Sequence, residues 1–262
     1  MTNLTLDGAT HDRTRYTNTL GPRGVIGVMT PGPNVNVENE MMDLRPQGVI
    51  NAIDRYYVPN QSIQQDEDWA IIMRHVTANL DQSVARLREA LVDHLVLGMS
   101  SQSFMGGERG SFALLDHLRE LSGVDVTQGA QAAEAAFTEI GARKIALVTP
   151  YYPIIEKNAV DYFEARGFEV THVEGLKCRS IIEVASQSPE TLRAAVDRAN
   201  ESRPDAILQL GTNLPFGRLA AELEEEMRTP VWAVGTVIYW KALRTMGITD
   251  RIDGFGSLMA AH

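Results

Sequence analysis

The sequence predicts an α/β protein of two pseudo-symmetric lobes, each a parallel sheet flanked by helices, and three observations carry that expectation. One stretch is written twice: residues 93–104 read DHLVLGMSSQSF and residues 205–216 read DAILQLGTNLPF. Each opens on Asp, runs through apolar residues suited to a buried parallel strand, breaks into small polar residues and closes on Phe. A second pair lies upstream, VIGVMTPGP at 25–33 and KIALVTPYYP at 144–153, again an apolar run entering Thr-Pro with another Pro after it. Short apolar runs also alternate with helical patterns along the chain, as expected for parallel sheets wound on both faces.

In chain order, residues 1–22 are polar and end in Gly21-Pro22. They predict an N-terminal arm, disordered or packed on a neighbouring subunit, with composition favouring disorder. The first lobe is expected over 23–128 and 235–262, the second over 129–234. Val25–Met29 reads as the first strand and residues 30–34 as a loop, because proline and glycine end regular pairing. Asp54–Val58 reads as a second strand. Over 67–91, Ile71, Ile72, Val76, Leu80, Val84, Leu87 and Leu91 recur at helical spacing, so a long amphipathic helix leads into the first copy of the repeat. MGGERGS at 105–111 reads as a turned or mobile loop before a short helix over 112–121. A short strand over 124–127 and an alanine-rich helix over 130–140, ending at Gly141, complete this half. The second half predicts strands over 145–149, 168–173 and 231–234, and helices over 154–166, 189–202 and 217–228. Ser188 and Pro189 supply the N-cap and first position of the middle helix, and 240–246 reads as the last helix.

Composition narrows the function. With 262 residues, 44% hydrophobic and 22% charged, the chain has the makeup of a soluble globular protein, and no apolar run is long enough to cross a bilayer. A net charge of −10 argues against a nucleic-acid surface, which requires a basic stripe. The single cysteine, Cys178, excludes an intramolecular disulfide framework, and the N-terminal residues lack a secretory pattern; both predict a cytoplasmic protein. No phosphate loop, dinucleotide fingerprint, nucleophile elbow or metal-ligand spacing is present, so no cofactor and no metal are expected.

Parallel α/β folds gather ligands outside the carboxyl ends of their strands. The four junctions place Thr30 and Asn34, Ser100 and Ser101, Thr149 and Tyr151, and Thr212 and Asn213 at such ends. Hydroxyls, amides and backbone N–H groups of this kind make a neutral cradle for a carboxylate or a developing enolate. Any one of them alone is an ordinary N-cap; four repeated junctions together favour a site.

These residues resemble the Asp/Glu racemase superfamily, in the branch of maleate cis-trans isomerases and arylmalonate decarboxylases. PGPNVNVE at 31–38 is similar to that branch's P-x-x-N-x-x-x-E signature, and LGMSSQSF at 97–104 to its first catalytic loop. TPYY at 149–152 is similar to its tyrosine loop and LGTN at 210–213 to its second catalytic loop. The resemblance runs from about residue 24 to 247. It implies cofactor-independent carbon-acid chemistry on a small carboxylate in an interlobe cleft, and family precedent implies a homo-oligomer. It maps an oxyanion cradle onto Ser100, Ser101, Tyr151 and the Gly211-Thr212 backbone, and carboxylate binding onto Asn34. Pro31, Met99, Asn213 and Tyr152 fall at neighbouring substrate-binding positions.

Two positions depart from the pattern. Where the resemblance implies thiols that carry protons or attack carbon, the chain has Met99 and Gly211. Cys178 lies in GLKCRS, outside the catalytic loops, and reads as structural. Tyr151 and Tyr152 are the candidate acid–base groups, since a phenol with a lowered pKa shuttles protons. Glu108 could fold over a ligand from the glycine-rich loop, whereas His94 and His117 read as structural and surface residues. The expected activity is a decarboxylase-like lyase with non-cysteine proton delivery. The alternatives are an isomerase or hydrolase using another acid–base group, and a carboxylate-binding protein without turnover.

Overall fold

The computed structural model describes residues 18–262; residues 1–17, most of the expected arm, lie outside them. The first half runs β1 (Gly24–Pro31), α1 (Asn36–Asp43), β2 (Val49–Tyr56), α2 (Asp66–Arg88), β3 (His94–Leu97), α3 (Ser100–Phe104), α4 (Gly107–Ser122), β4 (Asp125–Thr127) and α5 (Gly129–Glu139). The second runs β5 (Lys144–Thr149), α6 (Pro153–Ala165), β6 (Glu169–Gly175), α7 (Ile181–Ala185), α8 (Pro189–Asn200), β7 (Ala206–Gln209), α9 (Gly217–Met227), β8 (Val231–Ala233), α10 (Val234–Thr245) and α11 (Ser257–Ala261).

The strands form two four-stranded sheets of the same design, β2-β1-β3-β4 and β6-β5-β7-β8. Every pairing is parallel. The two copies of the written repeat, β3 and β7, hold the same place beside the central strands β1 and β5. All eight residues of β1 are buried, which is why it reads as an apolar run without alternation. Helix α2 starts on a capping box between Gln65 and Asp68, and Ser188 Oγ caps α8 by accepting from Thr191 N at 3.2 Å. Between the sheets, Phe104, Phe137, Tyr162, Phe163, Phe168 and Trp232 join rings contributed by both halves into one core.

Several boundaries differ from the sequence expectation. β1 continues through Pro31, which pairs with Tyr56 of β2. β3 is paired only as far as Met29, so the missing Pro31 N–H removes no bond on that side. β2 begins at Val49, five residues before the expected start. The glycines of 105–111 are not a long loop: Gly106 and Gly107 take φ of +75° and +62°, turn the chain, and α4 begins at once. Glu108 therefore sits in the first turn of α4 and pairs with Arg166 at 2.8 Å instead of closing over a ligand. α10 starts at Val234, directly after β8, and its residues through Trp240 are all buried. A helix buried on every side has no amphipathic stripe to betray its start.

Candidate active site

The four junctions converge where the carboxyl ends of the two sheets face one another. There the chain builds a clasp of hydrogen bonds between the halves. Ser100 Oγ, in the first turn of α3, lies 2.9 Å from Tyr151 Oη and accepts from Gly211 N at 3.0 Å. Thr212 Oγ1 donates to Gly98 O at 2.9 Å and accepts from Asn34 Nδ2 at 3.1 Å. Asn213 Oδ1 accepts from Val35 N at 2.9 Å while its Nδ2 donates to Ile181 O at 2.7 Å. Asn34 Oδ1 also accepts from Val37 N at 3.0 Å, so this one side chain starts α1 and holds the opposite half. Behind it, Asn36 Nδ2 donates to Thr212 O and Leu214 O at 3.1 and 2.9 Å.

In front of the clasp lies a narrow cleft. Of the expected residues, Pro31, Asn34, Met99, Ser101, Tyr151, Gly211, Thr212 and Asn213 line it. Ser100 stands behind this lining as the shared partner of Tyr151 and Gly211. Tyr152 does not line it; its hydroxyl donates to Ile63 O at 3.2 Å. Trp69, Pro150, Ile181 and Val184 complete the wall and were not singled out in the sequence. Pro150 lies directly after β5, beside the expected Tyr151, whereas Trp69 lies in the first turn of α2 and meets the Tyr151 ring edge-on at 5.2 Å, a contact that no local spacing encodes.

The electrostatics correct one expectation. Burial pushes the Tyr151 phenol up to about 12, outweighing the hydroxyls of Ser100 and Ser101 nearby. Ser101 Oγ stands close to the phenol but outside hydrogen-bonding geometry, and is buried without a partner. Tyr151 is thus held neutral at neutral pH. Cys178 is buried and its thiol is also raised, to about 12, by desolvation; its N–H donates to Pro150 O at 2.9 Å and the residue does not line the cleft. His94, buried at the amino end of β3, lies 2.7 Å from Thr127 Oγ1, and His117 is exposed beside Asp81. Among the described residues no group of three or more His, Cys, Asp or Glu is arranged to hold a metal, and no helix is long and apolar enough to cross a membrane.

A family model described as arylmalonate decarboxylase matches residues 70–259. The chain belongs to the arylmalonate decarboxylase family. Among its relatives, the maleate isomerase of Alcaligenes faecalis is 28% identical over 158 residues, 59% of this chain and 62% of that protein, so the match spans under two thirds of the relative's length. The maleate isomerase of Nocardia farcinica is 24% identical over 242 residues, 89% of this chain and 94% of the relative. The arylmalonate decarboxylase of Bordetella bronchiseptica is 25% identical over 151 residues, 56% of this chain and 62% of the relative. A mutant of the Nocardia farcinica maleate cis-trans isomerase with a covalently bound succinylcysteine intermediate superposes with a TM-score of 0.82 at 22% identity, covering 91% of this chain and 99% of that one. A crystal structure of arylmalonate decarboxylase gives 0.71 at 20% identity, covering 90% and 98%. At these identities the superpositions establish the shared fold.

In this member of the arylmalonate decarboxylase family, the two departures from the thiol pattern are built into the backbone and the packing. Gly211 has φ +94°, a conformation that favours glycine, and a Cβ added there would stand 2.5 Å from Pro150 Cγ and 2.7 Å from Cδ. The space for a side chain is filled by the proline. Met99 is buried at the N-cap of α3, and its Sδ lies 3.6 Å from the Tyr56 hydroxyl. The cleft lining therefore combines amide and hydroxyl groups with apolar walls, and among the described residues its one ionisable side chain is a neutral phenol.

Proposed function

We propose that this chain is a cofactor-independent decarboxylase of a small malonate-type dicarboxylate, with Tyr151 as the proton donor. The observation that carries this reading is that, among the described residues lining the cleft, the ionisable side chain is Tyr151, a phenol held neutral. Isomerisation through a cysteine adduct needs a thiolate, and racemisation needs a base to take the first proton. Loss of carbon dioxide needs neither. The bond between the α-carbon and one carboxylate breaks, its electron pair enters the remaining carboxylate to give an enediolate, and a proton is then delivered to carbon. An enediolate is basic enough to accept that proton from a phenol held near 12, and the phenolate takes a proton back from water that enters as product leaves. Asn34 and Ser101 are assigned to holding the retained carboxylate, and the apolar wall to the departing one, which is better expelled where water is scarce.

The test is turnover by Tyr151→Phe. A proton donor predicts that kcat falls at least about a hundredfold while KM changes little. A second reading, a carboxylate binder without turnover, is favoured by the mutual bonding of Ser100, Tyr151, Gly211, Thr212 and Asn34, which leaves few cradle groups free. It predicts ligand-induced thermal stabilisation with no carbon dioxide released from phenylmalonate, alkylmalonates or malonate.

A further inference from the structure

If most of the cradle is spent on the clasp, something else must meet a ligand's charge. Among the described residues, two side chains that line the cleft have buried polar atoms without hydrogen-bond partners, Ser101 Oγ and Trp69 Nε1. Trp69 is 2% exposed and Ser101 fully buried. An indole N–H is a donor only, and a buried one ordinarily finds an acceptor. Trp232 and Trp240 also bury an unpartnered indole N–H, but they belong to β8 and α10 and neither lines the cleft. Trp69 alone of the three is placed where an incoming acceptor would complete it. Its ring packs at a right angle to that of Tyr151, centroids 5.2 Å apart, so the indole and the phenol share one wall of the cleft.

We propose that Trp69 is a ligand-binding residue, its indole N–H acting with the Ser101 hydroxyl as the donor pair that receives a carboxylate of the substrate. This rests on the reading of the cleft as a small-carboxylate site. It gives α2 a direct part in substrate selection. The pair provides a neutral, desolvated anion site, with no lysine or arginine among the described residues that line the cleft.

The experiment screens phenylmalonate, maleate and malonate against the wild-type protein by calorimetry, and takes the tightest binder into 15N–1H spectroscopy with the three indole N–H signals assigned through bonds. The Trp69 signal is expected to move downfield on saturation while those of Trp232 and Trp240 stay in place. Trp69→Phe keeps an aromatic ring against Tyr151 and removes the donor; binding should weaken at least about tenfold, in line with a lost hydrogen bond to a charged group. A wild-type complex in which the Trp69 signal does not move overturns the assignment of Trp69 and leaves the carboxylate site standing, and this holds even if the variant folds poorly. Failure of all three compounds to bind the wild-type protein overturns the carboxylate reading and the donor pair with it.

Discussion

Gly211→Cys puts a thiol back at the second position where the resemblance calls for one, and we expect it to damage the protein. Two effects add. A residue with a Cβ held at φ +94° is strained by about 1–3 kcal/mol. The new Cβ would also meet Pro150 Cγ and Cδ at 2.5 and 2.7 Å, and ring carbons cannot swing aside as the end of a flexible side chain can. Overpacking of this kind costs about 1–3 kcal/mol. The expected loss is about 4 kcal/mol, a large share of the roughly 5–15 kcal/mol that holds a typical domain together. Urea denaturation measures it as a fall in midpoint at unchanged slope. Pro150→Ala removes the clashing ring atoms, so in that background Gly211→Cys should cost only its backbone part, about 2 kcal/mol, and the cycle should show about 2 kcal/mol of coupling. A Gly211→Cys protein within about 0.5 kcal/mol of wild type, or strict additivity with Pro150→Ala, would refute the reasoning.

Other perturbations have worked signs. Burial lowers the His94 pKa to about 4 from its ordinary 6.5, so between those values the unfolded chain binds more protons than the folded one. Stability should therefore fall as pH drops from about 6.5 toward 4, by up to about 3 kcal/mol, and His94→Asn should flatten that slope in urea titrations across the window. Glu40 is the opposite case. Burial raises its carboxyl pKa, even though Thr236 Oγ1 and Asn36 Nδ2 both donate to it at 2.9 Å. The folded state then holds a proton that the unfolded chain has released, so wild type should lose stability relative to Glu40→Gln as pH rises above 4.5; a constant gap between the two would contradict this. Ser100→Ala removes the shared partner of Tyr151 and Gly211 and should cost about 1–3 kcal/mol by leaving a buried N–H unpaired, measured by thermal or urea unfolding.

The architecture was legible because the repeated strand-and-loop signal is local. An apolar run followed by small polar residues and Pro dictates a buried strand ending in a loop wherever it occurs, and two such pairs in the same order gave two sheets of the same strand order. The starts of α4 and α10 were not legible, since glycines at 106–107 that turn the chain look like a loop and an all-round apolar helix looks like a strand. The loops that meet in the cleft could be named from their strand ends. Trp69 could not, because its contact with Tyr151 joins residues far apart in sequence. The sign of the Tyr151 shift was equally hidden: hydroxyl neighbours suggest an activated phenol, and only burial decides that desolvation wins.

The most direct test of thiol-free decarboxylation is release of labelled carbon dioxide from carboxyl-13C phenylmalonate and alkylmalonates by purified protein, before and after exhaustive treatment with iodoacetamide. Cys178 is buried and outside the cleft, so turnover should survive the treatment and should be lost in Tyr151→Phe. No release above the buffer rate, or release abolished by alkylation of the folded protein, would contradict the account.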